Sequence, residues 1–236
     1  MLAVVTNVDA DHLSTYGGDF EHLQSAFVEF LHHLPFYGMA IVCVDDENAR
    51  KLLPKLTRQV IRYGIEQDAD ICASNIRTSG LQSTFEVMLH DSDVRMDITL
   101  NLPGRHNILN ALAAIAVAYE LGVDIEAIKT ALKNFAGIGR RMQMYGDIDI
   151  PAGSITLVDD YGHHPTEVAA TVQAVRSSWP DRRLVVVFQP HRYSRTLYLF
   201  DDFTSVLADV DVLLVSDVYA AGEQPVSGAD ARSLCA

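Results

Sequence analysis

Ile155-Thr156-Leu157-Val158-Asp159-Asp160-Tyr161-Gly162-His163-His164-Pro165-Thr166-Glu167 is the stretch on which the reading of this chain turns. Residues 155–158 form a short apolar run of the kind a buried strand carries. Pro165 stands where a first helical residue belongs, and a helical pattern follows it. Two carboxylates, a phenol and two imidazoles therefore crowd a strand exit and a helix start. In open α/β sheets ligands bind at that edge. A solvated polar loop is the plainer alternative, but such a loop needs only a turn and a cap.

Further along, the pattern alternates: strand 155–158, helix 165–179, strand 184–188, helix 200–208, strand 212–216. Alternation of this kind implies a parallel, Rossmann-like sheet. Three strands are few for that architecture, and another helix begins as the sequence reaches Cys235, so this half reads as a truncated domain. The strand 184–188 runs out into Gln189-Pro190-His191-Arg192-Tyr193-Ser194-Arg195-Thr196, a second polar exit. If 155–158 and 184–188 are parallel neighbours, both exits lie on one edge. Asp160, Tyr161 and His163 then come within reach of Arg192 and Arg195.

The first half begins with a buried strand at 2–6. A helix at 20–34, a strand at 39–44 and a short helix at 47–53 closed by Pro54 follow it. Between 59 and 101 short alternating runs predict a small antiparallel insert. Ala-rich residues 107–121 read as a buried helix stopped by Gly122. Asp124 caps a further helix through Phe135. Gly137-Ile138-Gly139-Arg140-Arg141 reads as a linker, so the expected domains are 1–142 and 143–236. The fold class is α/β, a mixed sheet followed by a parallel one.

Composition narrows the function. The 236 residues carry a formal net charge of -13, which argues against a general nucleic-acid binder. Fourteen of the eighteen basic residues are Arg, several beside the polar motifs. Guanidinium groups suit carboxylates and phosphates, so a small anionic substrate is expected, with surface pairing to Asp and Glu as the bland alternative. No apolar run reaches membrane-spanning length, no basic leader opens the sequence, and Cys43, Cys72 and Cys235 have neither metal nor disulfide spacing. A cytoplasmic protein is expected.

Three more clusters carry chemistry. Asp9, Asp11 and His12 follow the first strand; they can bind a divalent cation or simply cap a turn. Gly104-Arg105-His106-Asn107 leads into Asn110, and residues three apart share a helix face, so two amides can meet one flat ligand. An N-cap Asn with a buried amide fits the same spacing. Arg140 and Arg141 can meet a phosphate when domains close, or stay solvated.

Together these motifs resemble the Mur ligase family. Asp159 to Glu167 looks like its C-terminal signature, and residues 188–196, 7–12, 104–110 and 139–141 are similar to its other motifs in the same order. The resemblance implies an ATP-dependent amide-forming ligase of peptidoglycan synthesis that phosphorylates a carboxylate and lets an amine attack the acyl phosphate. Within the family, the later loop is most similar to the branch that joins L-alanine to UDP-N-acetylmuramate. The branch that recycles murein tripeptide shares the His-His-Pro loop and differs in the later one. By resemblance His12 is a Mg²⁺ ligand, His106, Asn107 and Asn110 hold adenine, Arg141 meets ATP phosphate and Asp160 the ribose region. Tyr161, His163, Arg192 and Arg195 surround alanine and the acyl phosphate, with His163, Arg192 and Arg195 as the catalytic set.

One departure stands out. The sequence contains no Gly-x-x-x-x-Gly-Lys-Ser/Thr phosphate loop, which the family's ATPase needs. The chain thus reads as an internal fragment, about half of such an enzyme, without ligase turnover by itself. A non-catalytic nucleotide- or ligand-binding module is the alternative from another class.

Overall fold

The computed structural model describes residues 1–11, 13–89 and 94–235. The chain divides into two compact units, Met1–Ala136 and Gly137–Ala236.

In the first unit, in chain order, are β1 (Leu2–Val5), α1 (Phe20–His32), β2 (Met39–Cys43), α2 (Glu47–Arg50), β3 (Gln59–Gly64), β4 (Ile71–Ser79), β5 (Gln82–Leu89), β6 (Val94–Leu100), α3 (Arg105–Glu120) and α4 (Ile125–Asn134). All six strands form one sheet in sequence order. β1 to β4 run parallel, while β4–β5 and β5–β6 are antiparallel. Alternation sorts β2 between two cores. Ile41 and Cys43 pack with Leu112, Ile115 and Ala116 of α3, whereas Ala40 and Val42 pack with Leu23 and Leu31 of α1. A strand covered on both faces must be apolar throughout, which is why β2 reads Met-Ala-Ile-Val-Cys.

The antiparallel stretch expected over 59–101 is narrower than the sequence pattern suggests. β3 pairs parallel with β2, and the antiparallel strands β4 to β6 extend the same sheet. Period-two alternation marks a strand but does not say which way its neighbour runs. The expected helix at 47–53 is a single turn, α2, followed by a 3₁₀ turn at Leu53–Lys55 that holds Pro54. Gly122 leaves α3 with φ 72°, and the Asp124 carboxylate accepts from the amides of Glu126 and Ala127 at the start of α4.

The second unit contains β7 (Gln143–Ile150), β8 (Gly153–Asp159), α5 (Pro165–Ser178), β9 (Val185–Phe188), α6 (Tyr193–Tyr198), α7 (Phe200–Leu207), β10 (Val212–Val215) and α8 (Ala231–Leu234). β9 and β10 pair in parallel, as the α/β alternation predicts. β8 does not pair with β9. It forms an antiparallel hairpin with β7, a strand that the sequence reading left out. Val168 of α5 joins Phe188, Phe203, Leu207 and Leu234 in the core of this unit.

Candidate functional site

In the first unit the polar groups gather at the carboxyl ends of β1 to β3. The Asp45 carboxylate, just past β2, has a side chain only 3% exposed. It accepts from the amides of Ile65, Glu66 and Gln67 and from the Arg105 guanidinium. Arg105 also pairs with Glu66. Asp45 therefore fastens the loop after β3 to the first residue of α3. Next to it, Asp46 caps α2 through the Ala49 amide and accepts from Val8, and Asn48 donates to the Val8 carbonyl at 3.0 Å. These bonds brace the loop that holds Asp9 and Asp11. Its third candidate, His12, lies outside the described residues. Among the described residues no group of three or more His, Cys, Asp or Glu side chains is placed to hold a metal ion.

Gly104 precedes α3 with φ 95°, a conformation that a side chain resists. His106 and Asn107 sit in the first turn and Asn110 one turn on, exposed. Spacings of three and four put all three on one helix face. Asn107 Nδ2 donates back to the Pro103 carbonyl at 2.7 Å, but the N-cap is Gly104 and Asn110 is exposed, so the alternative of an N-cap Asn with a buried amide does not hold. What Asn107 can still offer a flat ligand is Oδ1 and its second amide hydrogen.

In the second unit the exits of β8 and β9 meet without their strands pairing. The His163 and His191 rings lie 5.8 Å apart, edge to face. Tyr161 lies 5.1 Å from His163, and the Arg140 and Arg141 guanidinium carbons sit 4.8 and 5.8 Å from the Tyr161 ring centre. Glu167, in the first turn of α5, ties this half together. Its Oε1 accepts from Arg141 at 3.0 Å, and its Oε2 accepts from the His163 amide at 3.0 Å and from the His164 amide. Burial works to raise the Glu167 carboxyl, but the His163 amide, the Arg141 guanidinium and the His163 ring outweigh it and hold the group below its ordinary range.

Asp160 has a structural task here: its two oxygens accept from the amides of Met142 (2.8 Å) and Gly162 (2.7 Å), clasping the start of β7 to the turn after β8. A Cβ on Gly162 would lie 2.9 Å from Asp160 Oδ1, so a side chain there would push against the carboxylate that clasps the turn.

The two arginines of the second exit differ. Arg192 is exposed, with φ 70°, and its backbone is fixed by a hydrogen bond that its amide donates to the Tyr219 carbonyl. Arg195 is 8% exposed, and its Nη1 lies 3.3 Å from His191 Nδ1. His191 stacks on Tyr219 at 5.3 Å. Ser194 donates through its amide and hydroxyl to Glu223, which holds that carboxyl low. His163, Tyr161, Arg141 and Arg195 are thus linked, with His191 as the bridge. Tyr219 and Glu223 were missed because they follow β10, some thirty residues on. The strand-exit rule that singled out the first two loops applies to this third one as well.

Residues 1–118 match the Mur ligase middle domain, and residues 140–236 match the Mur ligase glutamate ligase domain. The chain belongs to the Mur ligase family. Among solved structures it is similar to the UDP-N-acetylmuramate–alanine ligase MurC of Thermotoga maritima, at 27% identity and a TM-score of 0.72, over 92% of this chain and 46% of that one. It is equally identical, 27%, to the murein peptide ligase of Psychrobacter arcticus, with a TM-score of 0.62 over 91% of this chain and 43% of that one. The MurF ligase of Thermotoga maritima in complex with ADP shares the fold, with a TM-score of 0.71 at 19% identity over 91% of this chain and 48% of that one. The chain thus spans about half the length of these Mur ligases. Among the described residues no helix is long and apolar enough to cross a membrane.

Proposed function

We propose that this chain is part of an ATP-dependent ligase of peptidoglycan precursor synthesis that joins L-alanine to UDP-N-acetylmuramate through an acyl phosphate. In this reading Mg²⁺ is the metal, with His12 as a ligand, and the enzyme is cytoplasmic. The observation that carries the reading is the meeting of two strand exits at His163 and His191, with Arg141, Arg192 and Arg195 around them. Cations and imidazoles in that density suit an anionic acyl donor and an amino-acid acceptor.

Each residue has a task that fits its geometry. His106, Asn107 and Asn110 share one face of α3 and would hold adenine. ATP, when bound, supplies the phosphoryl group that activates the muramate carboxylate. Arg141 keeps Nη1 on Glu167, and the remaining donors of its fork can take a phosphate oxygen. Asp160 would meet the nucleotide's ribose region from the turn that it clasps, with the acceptor capacity its two amide bonds leave. Tyr161 would wall the acceptor site. His163 Nδ1 lies 3.0 Å from the Tyr161 carbonyl and 3.4 Å from Glu167 Oε2, both acceptors, so this nitrogen carries a proton. In the neutral ring Nε2 then has a lone pair, which can take a proton from the alanine ammonium group so that the free amine attacks the acyl phosphate. Arg192 and Arg195 would neutralise charge on the acyl phosphate and on the alanine carboxylate.

The test is ATP-dependent phosphate release by the whole enzyme, with L-alanine and murein tripeptide compared as acceptors. Turnover with L-alanine is expected. Turnover with tripeptide alone would move the chain to the recycling branch, a reading that the equal 27% identity keeps in view. Lack of nucleotide binding by calorimetry would leave a non-catalytic module. In the whole enzyme Arg192→Ala is expected to raise the barrier by about 3 kcal/mol, and unchanged kinetics would remove Arg192 from the site. The 236 residues hold no phosphate loop, so purified alone they are expected to release no phosphate.

A further inference from the structure

We propose that His191 is a positioning residue, which as a neutral imidazole with its proton on Nε2 accepts a hydrogen bond from Arg195 and holds that guanidinium in the site. Arginine has five N–H donors and no acceptor, so a contact of Arg195 Nη1 with His191 Nδ1 at 3.3 Å requires a lone pair on Nδ1. The one ring proton of a neutral imidazole is then on Nε2. This is the opposite of His163, whose Nδ1 must donate. The facing rings therefore differ: His163 has a lone pair on Nε2 and His191 has an N–H there.

The surroundings leave His191 little freedom. Tyr219 stacks on it with 18° between the planes, and His163 meets it at 60°. The backbone on either side is bonded to the segment after β10, through the Tyr219 amide to Pro190 and the Arg192 amide to Tyr219, both 2.8 Å. Arg195 lies four residues on, buried, and a buried guanidinium needs fixed acceptors.

Charge supports the same protonation state. Arg192 and Arg195 flank His191 on its own segment. His163, backed by Glu167, faces it from the first exit, and Tyr219 and Glu223 from the third. Burial, then Arg195, His163 and Arg192, push His191 below its ordinary 6.5, against a weaker opposite pull from Glu223. Protonation would remove the acceptor and set a cation beside two guanidinium groups, so the hold on Arg195 is lost as pH falls through the lowered value.

The tautomer is independent of the ligase reading, whereas the effect on catalysis rests on it, and the experiment separates the two. Long-range ¹⁵N–¹H correlation spectra of the 236-residue chain above neutral pH should show His191 neutral with Nδ1 unprotonated. A protonated Nδ1 would overturn the proposal. In the whole enzyme, kcat/KM for the amino-acid acceptor is then followed against pH. His191→Ala should lose about ten-fold above neutral pH, the weight of one hydrogen bond to a charged group. His191→Asn should recover most of that loss, because Oδ1 can replace Nδ1, and its acid limb should be less steep than the wild type's, with only the general base left to contribute to it. A His191→Asn profile with the same limb, or an undiminished His191→Ala, would overturn the positioning role. Correct spectra in an enzyme that ligates neither L-alanine nor tripeptide would uphold the tautomer and refute the ligase reading.

Discussion

A carboxylate that is 3% exposed needs its donors, and Asp45 has four. Three are backbone amides of one loop and one is Arg105 at the start of α3. Gly64 is what lets the loop approach, since a Cβ there would lie 2.7 Å from Asp45 Oδ1 and 3.2 Å from Val44 Cγ2. Gly64→Ala is expected to cost about 1–3 kcal/mol, the usual penalty of overpacking, measured by denaturant unfolding. Arg105→Ala should cost less than Asp45→Ala, because the carboxylate keeps three amides whereas those amides would lose their acceptor. Equal losses would show that the charge pair dominates instead.

At the scale of elements, α5 gains much of its N-terminal definition from Glu167. His164 is its N-cap, with Nδ1 accepting from the Thr166 amide, and Glu167 returns a carboxylate to the His163 and His164 amides. The capping box, the Arg141 pair and the orientation of His163 all depend on this one side chain. Glu167→Gln keeps the shape and removes the charge. It is expected to lower stability by about 1 kcal/mol and to loosen Arg141, seen as a lower melting temperature and weaker nucleotide affinity. At α4, Asp124→Ala removes the acceptor of two amides and should cost about 1 kcal/mol with no effect on ligand binding.

Over the whole molecule, pH should act most strongly on Gly137–Ala236. Glu167 is held below its ordinary 4.5. Asp211 is held down to about 2, first by Arg176 and then by the Leu184 amide. A carboxyl depressed in the folded state contributes fully above its unfolded value and loses that contribution as pH falls through its folded one. The carboxyl contribution to the stability of this unit should thus decline from about pH 4.5 downward, and the Glu167→Gln and Asp211→Asn variants should each flatten that part of the decline in acid titrations followed by circular dichroism. His191 has the opposite chemistry and the same sign. Its depressed value favours the neutral form, so protonation of the unfolded chain below 6.5 also reduces stability.

Much of this was legible in the chain itself. Apolar periodicity placed α1, α3, α5 and the parallel pair β9–β10, and Asp124 and Gly122 marked caps from local backbone chemistry alone. The polar exits at 159–167 and 189–196 were visible because each gathers more titratable groups after a strand than a turn and a cap require. Pairing partners were not legible. β8 presents the same alternation to β7 as it would to β9, and hydrogen-bond direction has no side-chain signature. Nor could the sequence order reveal that His191, rather than a paired strand, links the two exits, that Asp45 fastens α3, or that Tyr219 and Glu223 arrive from a third exit. Local propensity and periodicity are properties of neighbours along the chain, and they settled the elements and the residue types at their ends. Contacts between residues tens of positions apart depend on how strands pair and helices pack, and only the tertiary structure decided those.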